Sequence, residues 1–207
     1  MLNIENLQLT LDDWPLRYQM QIDTGEIVAI QGISGVGKTT LLNLIGGYLM
    51  ADSGTVKWNQ QPINSLSVEK RPVSMLFQDH NLFEHISVLD NLCLGFSATA
   101  PVEAIMDAAR HLGVDEQLAK KPATLSGGQR QRIALIRTLL RPEPIVLLDE
   151  PFAELDPATR EKAALWTRAQ AKSAGKTVLL VTHQNEDVER VADRKIILNP
   201  LTNQRPA

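Results

Sequence analysis

The run Gly32-Ile33-Ser34-Gly35-Val36-Gly37-Lys38-Thr39 follows Ile27-Val28-Ala29-Ile30 and leads into a helix-forming stretch, Thr39 to Leu49. It fits G-x-x-x-x-G-K-[ST], a loop that cradles phosphates between a strand and a helix. The glycines let backbone N–H groups turn inward, and the next helix offers its positive end to an anion. Three more aliphatic runs also end in polar residues. Val73-Ser74-Met75-Leu76-Phe77 ends in Gln78, Ile145-Val146-Leu147-Leu148 in Asp149-Glu150, and Thr177-Val178-Leu179-Leu180-Val181 in Thr182-His183. Continuous runs of this kind suit strands buried on both faces of a parallel sheet. Ligands of such sheets bind beyond the carboxyl ends of the strands. The reactive side chains therefore gather on one edge of an α/β fold.

The intervening segments read as helices: Val102 to Leu112, Gln129 to Leu140, and Pro157 to Ser173 with Gly175 as a stop. Asn3 to Leu11 and Leu16 to Ile22 alternate as antiparallel strands, with Val56-Lys57-Trp58 able to join them. Few strand signals occur near residues 80–128, which read as a helical insertion. The expected organisation is one domain over 1–207, with a core of about 1–79 and 129–207.

The chemistry follows from the strand ends. Lys38 suits the β- and γ-phosphates of a nucleotide and the Thr39 hydroxyl suits Mg²⁺. Thr40 and the loop residues complete the phosphate-binding set. Adjacent acids after four aliphatics are costly unless they meet a metal or water. Asp149 fits an outer contact to Mg²⁺ and Glu150 a general base for an attacking water. Gln78 can sense the metal or the water, and His183 can donate to a γ-phosphate. His80, His85 and His111 read as surface or helix residues. A second glycine-bearing turn, Leu125-Ser126-Gly127-Gly128-Gln129, opens another helix. Ser126 can cap it, the glycines permit close approach, and the helix end attracts a phosphate. The residues alone leave open whose phosphate this is.

Taken in order, these motifs resemble the ATP-binding cassette (ABC) family. They are the phosphate loop, Gln78, the signature turn Leu125–Gln129, Leu147-Leu148-Asp149-Glu150-Pro151, the D-loop Leu155-Asp156, and His183. The resemblance implies a P-loop cassette with a mostly parallel core sheet, an antiparallel β subdomain and a helical subdomain. It further implies ATP and Mg²⁺, and a head-to-tail homodimer. Each ATP would lie between one phosphate loop and the other subunit's Ser126, Gly127, Gly128 and Gln129. Within the family, the chain resembles in particular the ATP-binding subunits of bacterial thiamine importers. That likeness runs through Arg71–Gln78, Asn81-Leu82-Phe83, His85, Asn91, Leu125–Arg132 and Leu147–Phe152, with Pro15 and Arg17. It implies integral membrane permease partners, an indirect periplasmic solute-binding partner, and work at the cytoplasmic face of the inner membrane.

Some positions depart from the family. Leu11 stands where an aromatic usually stacks on adenine, so Trp14 becomes the adenine platform, while Tyr18 points into a strand. The D-loop begins Ala153-Glu154 where a serine is common. No regulatory domain fits in 207 residues. The formal net charge of −3 gives no push toward nucleic acid. Lys70-Arg71 and Lys120-Lys121 read as solvated surface. Cys93 is the sole cysteine, which excludes an internal disulfide. No secretory signal and no run of about 20 apolar residues is visible. Competing readings are an importer of another small solute (iron, polyamine or inorganic anion), a soluble ABC ATPase acting on DNA or the ribosome, and a P-loop kinase or GTPase. The signature turn and Glu150 argue against the last.

Overall fold

The computed structural model describes residues 1–11, 13–79, 82–96 and 99–199, so His80 and Asn81 lie outside the described residues. The first elements are β1 (Leu2–Leu11), β2 (Trp14–Ile22), β3 (Ile27–Gln31), α1 (Lys38–Gly46), β4 (Ser53–Trp58), β5 (Gln61–Pro62) and β6 (Val73–Leu76). Then follow α2 (Val88–Cys93), α3 (Val102–Leu112), α4 (Gly127–Leu140), β7 (Ile145–Asp149), α5 (Pro157–Ser173), β8 (Thr177–Val181), α6 (Asn185–Val191) and β9 (Arg194–Ile197). The four aliphatic runs pair as a parallel sheet, joined at its edge by β9, which the sequence reading did not include, in the order β6-β7-β8-β3-β9. An antiparallel sheet is ordered β2-β1-β4-β5, as the alternating N-terminal pattern requires.

Because side chains alternate along a strand, the parallel sheet feeds two cores. Ile145, Leu147, Leu179 and Val181 face α1 and the antiparallel sheet. Val146, Leu148, Val178 and Leu180 face α4 and α5. Each such aliphatic side chain contributes about 1.5–3 kcal/mol on burial. In β1 the inward set changes parity, from Leu2 and Ile4 to Leu7 and Leu9. A bulge between Ile4 and Leu7, with Asn6 at φ 46, absorbs the shift.

Helix boundaries differ from the sequence reading where caps decide them. Helix α1 ends at Gly46 rather than Leu49 because Gly47, at φ 87, turns its N–H back to Asn43 O. A Cβ at Gly47 would also meet the Arg71 guanidinium. Helix α4 starts at Gly127 rather than Gln129 because Ser126 is its N-cap. Phe77 lies beyond β6 and packs edge-on against Tyr48, with ring centroids 4.8 Å apart.

Arg71 is buried, not solvated surface. Its Nη1 donates to Leu44 O and Ile45 O at 2.8 Å, Nη2 to Asn64 O at 2.9 Å and Nε to Leu66 O at 3.1 Å. The cation thus closes the carbonyl end of α1, where positive charge is favoured. Lys70, Lys120 and Lys121 are exposed as expected. Arg71→Met keeps the stem and strips the carbonyls of their donors. It should cost about 3 kcal/mol, read as a lowered urea midpoint with an unchanged m-value.

Candidate functional site

The phosphate loop is a closed turn in this structure. Val36 N–H donates to Ile33 O at 3.3 Å, and Lys38 Nζ donates to Gly32 O at 2.9 Å and Ile33 O at 3.0 Å. An ammonium has three donors, so one remains for a phosphate oxygen. Gly37 caps α1 in the left-handed region, at φ 99, with no side-chain partner for the helix's first N–H groups. Those groups are therefore available to an anion. Tyr18 reaches the loop from β2, and its hydroxyl donates to Gly37 O at 2.8 Å. Burial holds the Tyr18 phenol above its usual range, so it stays a donor.

A cleft of about 500 Å³ joins the loop to the carboxyl edge of the sheet. Ser34, Gly35, Gly37, Lys38, Thr39, Thr40, Gln78, Asp149, Glu150 and His183 all line it, as does exposed Leu11. Trp14 borders a smaller cleft of about 160 Å³ with Ile33, Ser34, Gly35 and Val36.

Asp149 is the last residue of β7 and only 2% exposed. Burial pushes its carboxyl above the usual range, a hydrogen bond from Thr39 opposes this, Glu150 adds to it and Lys38 opposes it. A buried carboxylate held this way is eased by a cation. Thr39, Asp149 and Gln78 offer oxygen donors, the chemistry Mg²⁺ prefers. Among the described residues no three His, Cys, Asp or Glu side chains are placed to hold a metal. A cation here would share phosphate oxygens and water, as Mg²⁺ does.

Glu150 takes φ 48, uncommon for a non-glycine residue. Its Oε1 lies 3.0 Å from His183 Nδ1, and His183 Nε2 lies 3.0 Å from the Gln184 amide nitrogen. The amide donates to Nε2, so the tautomer this geometry fits carries its proton on Nδ1, toward Glu150. The strap around His183 is anchored beneath. Thr182 Oγ1 donates to Asp187 Oδ2 at 2.8 Å, and Arg160 binds Asp187 through two bonds of 2.6 and 2.7 Å. Arg160 comes from α5, whose N-cap is the D-loop Asp156, accepting from Thr159 N–H.

The signature turn is not part of this cleft: none of Ser126, Gly127, Gly128 or Gln129 lines it. Ser126 Oγ accepts from Gln129 N–H at 3.3 Å, and Gln129 Oε1 accepts from Ser126 N–H at 3.0 Å. This reciprocal capping box uses the polar oxygen of Gln129. Gly127 and Gly128 pack on the D-loop, where a Cβ on Gly127 would meet the Glu154 carboxylate. Sequence reasoning missed Tyr18 as a loop support and also missed Asp187 and Gln131. Gln131 was detectable as an amide on the buried stripe of α4 that includes Leu135 and Thr138.

A phosphate loop and a strand-end acid pair, facing one cleft of a parallel sheet flanked by an antiparallel sheet, define a nucleotide-hydrolysing cassette. The chain belongs to the ABC transporter family, whose profile matches residues 17–153, and it is an ATPase of that family. It is 40% identical to the thiamine import ATP-binding protein of Escherichia coli over 96% of this chain and 88% of that protein. It is 44% identical to the protein of the same name from Aliivibrio fischeri over 84% of this chain and 77% of that one. Its fold matches a dimeric ATP-binding cassette in a post-hydrolysis state bound to ADP and Pi. The TM-score is 0.85 at 28% identity, covering 96% of this chain and 94% of that chain. Among the described residues no helix is long and apolar enough to cross a membrane.

Tyr18→Phe removes one hydrogen bond beneath the loop, worth about 1 kcal/mol. ATP titration of the purified chain should show a dissociation constant raised by up to about fivefold. Gly37→Ala, which forces a Cβ against the Tyr18 hydroxyl at a left-handed position, should abolish ATP binding.

Proposed function

We propose that this chain is the ATP-hydrolysing, energy-coupling subunit of a bacterial importer, and that the imported solute is thiamine. The observation that carries the reading is the single cleft in which Lys38, Thr39, Gln78, Asp149, Glu150 and His183 meet. The choice of thiamine is supported by relatives that are 40–44% identical over 84–96% of this chain and carry that name.

In this reading Gly32 to Thr40 wrap the phosphates of ATP and Trp14 stacks on adenine. Thr39, Asp149 and Gln78 would hold Mg²⁺, which would supply neutralisation of phosphate charge. Lys38 directs its remaining N–H at the γ-phosphate. Glu150 takes the proton of the attacking water, and His183 orients Glu150 and faces the departing phosphate. Ser126, Gly127, Gly128 and Gln129 meet the nucleotide of a second copy, consistent with their place outside the chain's own cleft. ATP therefore closes a head-to-tail homodimer and hydrolysis reopens it.

The chain acts as one cassette, with the segment near 80–128 as its helical part. A groove of about 270 Å³ lined by Tyr48, Val68, Met75, Phe83, Leu94 and Arg141 receives a helix of the membrane permease. That docking places the cassette peripherally on the cytoplasmic face of the inner membrane, without a nucleic-acid partner.

Glu150→Gln should keep ATP binding, lower turnover by about 10²–10⁴-fold, and run as a dimer on sizing in ATP. A monomer under those conditions would refute the base assignment or the dimer. Lys38→Ala should abolish turnover. In the complex co-purified with its membrane chain and reconstituted with its solute-binding protein, thiamine should raise ATP hydrolysis severalfold. Stimulation by iron, a polyamine or an inorganic anion instead would reassign the solute.

A further inference from the structure

We propose that Gln131 is a positioning residue for hydrolysis, tying the signature helix α4 to the backbone of Glu150 and so setting where that carboxylate stands. The proposal rests on the reading of Glu150 as the general base.

Gln131 lies one turn into α4 and is 1% exposed. A buried amide costs free energy unless both its ends are bonded, and here both are. Its nitrogen donates to Glu150 O at 3.0 Å and its oxygen accepts from Glu154 N–H at 3.3 Å. One planar amide thus spans the turn between the base and the D-loop.

Glu150 needs such a hold. It sits at φ 48 and precedes Pro151. The left-handed region costs a non-glycine residue about 1–2 kcal/mol, and a following proline favours extended backbone instead. Its N–H is fixed to Val181 O at 3.0 Å, which anchors it to β8. Its carbonyl accepts from Ala153 N–H at 3.2 Å within the same turn, and from Gln131. Gln131 is the link that reaches this peptide from another helix. Without it the Glu150–Pro151 unit can relax, and the carboxylate leaves its 3.0 Å contact with His183 Nδ1. The same helix starts at the signature turn.

The test compares Gln131→Met, which keeps length but loses both bonds, with Gln131→Glu, which keeps the acceptor for Glu154 N–H and loses the donor to Glu150. Each is made alone and in a Glu150→Gln background, and measured in the co-purified transporter per ATP-binding site. Both single variants should lower kcat at least about tenfold with KM for ATP within about twofold. In the Glu150→Gln background the added substitution should change the residual turnover by less than about twofold, because Gln131 acts through Glu150. If Gln131→Met does not fold, Gln131→Glu decides alone. Unchanged kcat in Gln131→Glu, or losses that multiply with Glu150→Gln, would overturn the proposal. Full turnover by Glu150→Gln alone would instead overturn the base reading and, with it, the premise here.

Discussion

The structure depends on strands β7 and β8 being buried on both faces. Every residue of Ile145–Asp149 and Thr177–Val181 is buried. A strand in that position has no polar flank, so its charged residues can emerge only where it ends. Asp149 marks that limit: it is still in the strand and still buried, yet Thr39 meets it from α1 and Lys38 stands close enough to ease its charge. One residue further, Glu150 leaves the sheet at φ 48 and turns toward His183 at the end of β8. Adjacent parallel strands in register, Asp149 beside Val181, bring Glu150 and His183 together. The cleft is thus a consequence of sheet register before it is a consequence of any single side chain.

What the sequence made legible is what local pattern encodes. Four of the five parallel strands, the phosphate loop, and α3 and α5 with their bounds follow from aliphatic runs, glycine spacing and caps; β9 and the short helices α2 and α6 carry too little pattern to read. The missed side-chain roles depend on partners elsewhere in the chain. Arg71 looked like half of a basic surface pair, and only the carbonyl end of α1, 26–27 residues earlier, explains its burial. Tyr18 was placed in a strand correctly, but its bond to Gly37 crosses from one sheet to the loop of the other. Asp187 sits in a short helix with three other charged residues nearby, Glu186, Glu189 and Arg190. Nothing local separates it from them, although it alone meets Arg160 and Thr182.

The helix boundaries teach a related lesson. Periodicity placed the start of α4 at Gln129, where its apolar stripe becomes regular. The structure starts it at Gly127, because the capping box of Ser126 and Gln129 outranks periodicity at a helix end. The two-residue difference has a chemical consequence. Gln129 becomes part of the cap, so its side-chain oxygen is spent inside the turn and what the turn leaves unbonded is backbone N–H near Gly127 and Gly128. The turn also lies close on the D-loop, since a Cβ at Gly128 would stand 3.1 Å from Glu154 O.

That contact gives the segment after β7 two faces, one on the cleft and one on the signature turn. On one side the phosphate loop, Asp149 and Glu150 enclose the cleft; on the other the signature turn rests on the D-loop. Between them run Glu150, Pro151, Phe152, Ala153 and Glu154, held at both ends by the single amide of Gln131. Phe152 is 1% exposed and anchors the segment's middle in the core. The segment is thus held at its centre by burial and at both ends by one amide, so the cleft face and the signature face are tied to each other within one chain.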